Sequence, residues 1–64
     1  MHAPLGHVLV VDDELDIRDV LREYFETEGF TVALAADGSE AIGRILERRP
    51  DVVLLDLRLP GTQG

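Results

Sequence analysis

The sequence predicts an α/β domain: a parallel sheet with helices on its faces, ordered β-α-β-α-β. Three observations point there. Short apolar runs, rich in β-branched residues, occupy positions 8–11, 31–36 and 52–55. The two segments between them carry apolar residues at helical spacing. The connections are short, and strands that alternate with helices imply right-handed crossovers and a parallel sheet.

Each element has its own local cause. Val8, Leu9, Val10 and Val11 form a continuous apolar run, as suits a strand buried on both faces, and it ends abruptly at Asp12, Asp13 and Glu14. Ile17, Val20, Leu21, Tyr24 and Phe25 then fall on one face of a helix. Glu14 and Arg18 are spaced as a favourable i,i+4 pair, and Gly29 is placed to stop the helix. Glu26 and Glu28 oppose the helix dipole at that end, so packing has to hold it. The second strand sets Val32 and Leu34 on one side and small residues on the other. Asp37 and Glu40 make a capping-box start for the second helix, whose apolar stripe is Ala41, Ile42, Ile45 and Leu46. Gly43 inside it costs about 1 kcal/mol relative to alanine. Arg48 and Arg49 suit the helix end, and Pro50 stops it. Val52, Val53, Leu54 and Leu55 form the third buried strand, ending at Asp56, and Leu59, Pro60 and Gly61 make a turn.

Composition bounds the function. A 64-residue chain is one small domain and buries only about 60% of its unfolded surface. With no cysteine it has neither a disulfide nor a thiolate metal site, so an ion, a partner or further chain is expected to support it. The formal charge is −7, from 13 acidic and 6 basic residues, which argues against direct nucleic-acid or anionic-membrane binding. No apolar run approaches a membrane span, and the N-terminus lacks a signal-peptide layout. A cytoplasmic protein is the expectation. His2 and His7 suit no ordinary metal spacing and are read as terminal and strand-entry residues. Tyr24 is read as core packing.

The acids carry the functional argument. In an open parallel sheet, ligands bind outside the carboxyl ends of the strands. Asp12, Asp13 and Asp56 all fall there. Taken singly, each has a plain structural role: the first acids cap a helix, and Asp56 is a loop polar residue. Together they bring carboxylates within a few ångströms, because adjacent strands lie about 4.8 Å apart. Like charges at that range call for compensation, and oxygen-only ligands suit Mg²⁺ or Mn²⁺.

Three segments, residues 8–14, 36–41 and 50–61, resemble the first half of a bacterial two-component response-regulator receiver domain. The resemblance runs from residue 7 to 64 and leaves 1–6 as an N-terminal tail. It implies a flavodoxin-like (CheY-like) doubly wound parallel sheet, truncated to β-α-β-α-β, with strand order 2-1-3. It also implies that Asp56 is the phosphoacceptor for a sensor histidine kinase, that Asp12, Asp13 and Asp56 bind Mg²⁺ or Mn²⁺, with Asp13 the more direct ligand of the pair, and that the Arg58 backbone carbonyl is a further ligand. The Arg58 side chain matches a position that influences acyl-phosphate lifetime. Such a domain is not an enzyme beyond its own phosphorylation and dephosphorylation.

A complete member of that family has five strands, with a hydroxyl residue after the fourth, a lysine after the fifth and an aromatic switch residue on the fifth. This sequence contains no lysine and matches only the first three strands. The expectation is impaired phosphorylation. The alternative is a non-catalytic half-receiver that folds by homodimerisation through the exposed edge of the third strand, or by element exchange. A haloacid-dehalogenase-type phosphatase would need an acid at position 58, where arginine stands.

Overall fold

The computed structural model describes residues 3–56. The expected positions of His2, of Arg58 and of the 59–61 turn lie outside the described residues.

The elements are β1 (His7–Asp12), α1 (Leu15–Glu28), β2 (Thr31–Ala35), α2 (Gly38–Glu47) and β3 (Val52–Asp56). All pairings are parallel, and the strand order is β2-β1-β3. This is the order and architecture the resemblance implies. The chain leaves β1 in one direction to reach β2, then returns across β1 to β3. Two right-handed crossovers of opposite direction put the helices on opposite faces of the sheet. Every residue of β1 is therefore buried, the pattern of a parallel strand covered on both sides. On the α2 face, Leu9 and Val11 pack with Ala35, Ala41 and the partly buried Ala33. Those alanines are what let the helix approach. Burying Leu9 and Val11 contributes about 1.5–3 kcal/mol for each side chain.

Helix α1 ends on a Schellman motif. Gly29 takes φ +106°, its N–H donates to the Glu26 carbonyl, and the Phe30 N–H donates to the Phe25 carbonyl. The Phe25 and Phe30 rings meet edge-on with centroids 5.9 Å apart, the apolar contact that accompanies such an end. Packing thus holds a terminus whose glutamates oppose the dipole. Helix α2 starts on Asp37, whose side chain accepts from the Glu40 N–H. Glu40 reaches back one residue further than a capping box requires, to the Ala36 N–H at 2.7 Å.

The strand entries are locked by polar bonds. The His7 N–H donates to Asp51 Oδ2, the Asp51 N–H donates to the His7 carbonyl, and His7 Nδ1 lies 2.7 Å from Thr31 Oγ1. His7 is the strand-entry residue the sequence suggests.

The helical stripes are less covered than expected. Among the described residues Val20 is 65% exposed and Tyr24 57%, so Tyr24 is a surface ring stacked edge-on against Phe25 and not core. On α2 only Ala41 is buried, and Leu46 is 81% exposed. Both helices lie over β1 and β2, which leaves the outer flank of each stripe uncovered within the described residues. Among the described residues a Cβ at Gly43 would meet nothing within 4 Å, so this glycine serves no close packing there. No helix among the described residues is long and apolar enough to cross a membrane.

Candidate functional site

The site forms where β1 and β3 end. Asp12 closes β1, and its Cα register partner is Asp56, the last residue of β3. The sequence places both acids at one sheet edge, and the parallel register makes them lateral neighbours.

Asp12 is only 2% exposed, while Asp13 and Glu14 stand in solvent. The buried carboxylate is held at close range, since its Oδ1 accepts the Glu14 N–H at 2.8 Å. That bond decides how the chain leaves the strand. It turns the backbone at the strand-to-helix junction, as an aspartate does when it accepts a main-chain N–H two residues on. Glu14 is the N-cap residue of α1 but makes no side-chain capping bond. The plain reading of the acids as helix caps is therefore not how α1 begins.

Arg18, on the first turns of α1, donates from Nη1 to the Asp12 backbone carbonyl at 2.8 Å. The sequence suggests a Glu14–Arg18 side-chain pair. In the structure the Arg18 guanidinium ties α1 to the end of β1, and Glu14 and Arg18 are also linked through the helical backbone bond. Arg18 is a supporting residue that sequence reasoning missed. Its spacing from Asp12 matches no helical pair rule, and only the strand-to-helix turn brings the two together.

One carboxylate oxygen each from Asp12, Asp13 and Glu14 lies within 4.8 Å of the others. Two unit charges at that separation repel by roughly 1 kcal/mol in bulk water and about 3.5 kcal/mol at an effective dielectric of ~20. A cluster of hard oxygen donors at this spacing fits a small divalent cation such as Mg²⁺ or Mn²⁺. Glu14 joins the two predicted acids, and its signal in the sequence is simply the third place in a contiguous acidic run. Arg58, the fourth predicted ligand, lies outside the described residues.

Comparison with known proteins bears on the family of the chain. The profile of a family described as response regulator receiver domain matches residues 8–64. The transcriptional regulatory protein ResD of Bacillus subtilis (strain 168) is 51% identical over 57 residues, covering 89% of this chain and 24% of ResD. The chain thus spans about a quarter of the length of that relative.

Proposed function

Because the chain belongs to the response regulator receiver family of two-component signalling, we propose that Asp56 accepts a phosphoryl group from the phosphohistidine of a sensor histidine kinase. The observation that supports this most is the Asp12–Asp56 register at the carboxyl edge of the sheet, beside the acidic trio.

In the proposed step an Asp56 carboxylate oxygen attacks phosphorus in line. The new O–P bond forms as the P–N bond breaks, and the imidazole nitrogen keeps the electron pair and takes up a proton. A positioned carboxylate nucleophile is enough for such a transfer, because orientation and charge stabilisation supply most of the acceleration. Asp12, Asp13 and Asp56, with the Arg58 backbone carbonyl, would hold Mg²⁺ or Mn²⁺. When bound, such a cation offsets charge on the carboxylates and on the phosphoryl oxygens. Asp12 is held in place by its bond to the Glu14 N–H and the Arg18 bond to its carbonyl. Asp13, exposed and unconstrained by those bonds, adapts to the ligand. On this reading the domain turns over nothing except its own acyl phosphate.

Acetyl phosphate with Mg²⁺ tests the proposal. Intact-mass spectrometry is expected to show one added phosphoryl group, lost in Asp56→Asn. An unmodified, folded wild type would refute it, as would a modification that persists in the variant.

A second reading is an interaction module that self-associates along β3. Its support is that Val52, Val53 and Leu55 are 47%, 45% and 65% exposed among the described residues. A flat apolar edge strand of this kind invites pairing with another chain. Light scattering decides it: a cooperatively folded monomer at micromolar concentration removes this reading and leaves the first intact.

A further inference from the structure

Strand β2 ends the strand order, so among the described residues no strand pairs with its outer edge. The Thr31 N–H donates to the Gly6 carbonyl, which turns Thr31 toward β1. Main-chain groups alternate sides along a strand, so Ala33 and Ala35 also face β1, and the N–H and C=O of Val32 and Leu34 face outward. Arg44 bonds to one of these outward groups, its Nε donating to the Leu34 carbonyl at 3.1 Å.

A groove of about 420 Å³ runs along the edge, lined in part by Val32, Leu34, Arg22, Arg44, Glu47 and Arg48. Half of the six cationic residues in a chain of net charge −7 gather here. Three arginines against one glutamate leave the lining net positive by two. Arg22 comes from α1, Arg44 from α2 and Arg48 from the C-cap position just after it, so positive charge flanks the edge from both faces of the sheet. Arg22 lies 3.8 Å from Asp19 and 3.3 Å from Glu26, and Arg44 lies 3.3 Å from Glu47. These pairs are exposed and exchange for other carboxylates at little cost. Among the described residues Arg48 takes part in no ion pair.

We propose that the β2 edge is a docking site for an acidic, extended peptide segment of a partner protein, which adds as a strand beside Val32 and Leu34. The backbone supplies the pairing in this mode, and alternate side chains supply selectivity. Successive side chains of an extended segment point to opposite faces, so consecutive acids meet Arg22 on one side and Arg48 on the other. The segment displaces the Arg44 guanidinium from the Leu34 carbonyl and takes it up through a carboxylate. The proposed phosphoacceptor edge lies at the other end of β1, beside β3.

The probe is a fluorescein-labelled peptide of paired glutamates separated by valine and threonine, titrated by anisotropy against the full chain. The peptide is expected to bind, more weakly as salt screens the charges. Arg22→Gln and Arg48→Gln should each weaken it by up to about fivefold, the scale of an exposed ion pair. Amide exchange at Val32 and Leu34 should slow in the complex. A control peptide N-methylated on the residues facing the strand should fail to bind, and this control involves no change to the protein. Equal binding by the methylated peptide, unchanged exchange at Val32 and Leu34, or equal binding of a single-stranded oligonucleotide would overturn the proposal.

Discussion

Gly29 shows how much can rest on a single backbone position. Its φ of +106° lies in the left-handed region, where a residue with a Cβ is disfavoured by roughly 1–2 kcal/mol. A Cβ there would also sit 3.4 Å from Leu5 Cγ, and the Leu5 N–H already donates to the Gly29 carbonyl at 2.9 Å. Gly29→Ala is therefore expected to lower stability by about 1 kcal/mol or more, after allowing for the reduced entropy of its unfolded chain. Denaturant titration should show a lower midpoint at unchanged slope, and an unchanged or higher midpoint would count against the αL assignment. At the same scale, Asp12 and Asp13 are adjacent residues of one type in very different settings. One is buried and bonded to the Glu14 N–H, and the other is in solvent. A strand covered on both faces up to Asp12, followed at once by a turn into solvent, produces that difference.

Among the elements, the contrast lies between β1 and α2. Strand β1 is covered on both faces, and Leu9 is 1% exposed. Leu9→Ala is expected to cost 2–5 kcal/mol, a large share of the ~5–15 kcal/mol that holds a typical domain together. Leu46 on α2 has the same chemistry at 81% exposure. Leu46→Ala should change stability by no more than about 0.5 kcal/mol, the usual range for surface positions. Paired thermal melts check this, and equal losses for the two variants would show that the outer flank of α2 is buried in solution. The apolar periodicity of α2 was legible in the sequence, since Ala41, Ile42, Ile45 and Leu46 share a helical face. The pattern could not say which of the four meets the sheet. Ala41 does so because Ala33 and Ala35 open room for the helix directly above it.

Over the whole molecule, charge is distributed unevenly. The acids that end β1 form a tight trio beside β3, while three arginines gather at the opposite edge strand. A chain with this much unbalanced negative charge gains stability from any cation that binds only its folded form. Mg²⁺ is expected to raise the Tm of the wild type well beyond Na⁺ at matched ionic strength. The gain is about 2.7 kcal/mol at a ligand concentration a hundredfold above Kd. Asp13→Ala should lose most of that Mg²⁺ response while folding normally, because Asp13 is exposed. Calorimetry with both ions distinguishes site binding from screening, and equal Mg²⁺ responses in the two proteins would remove Asp13 from the site.

The sequence by itself determined the kinds of element, their order and their ends. Helical and strand periodicities, the Asp37 cap and the Gly29 stop are all short-range effects, set by neighbours a few residues away. It also determined that Asp12, Asp13 and Asp56 fall at strand ends on one edge of a parallel sheet. Tertiary structure alone decided the rest. The register made Asp12 and Asp56 partners, the turn after β1 sank one carboxylate and left its neighbours in water, and α1 brought Arg18 onto the Asp12 carbonyl. It also left Tyr24 and Leu46 exposed on faces that read as core. Burial and pairing depend on what covers a residue from distant parts of the chain, and local spacing carries no information about that.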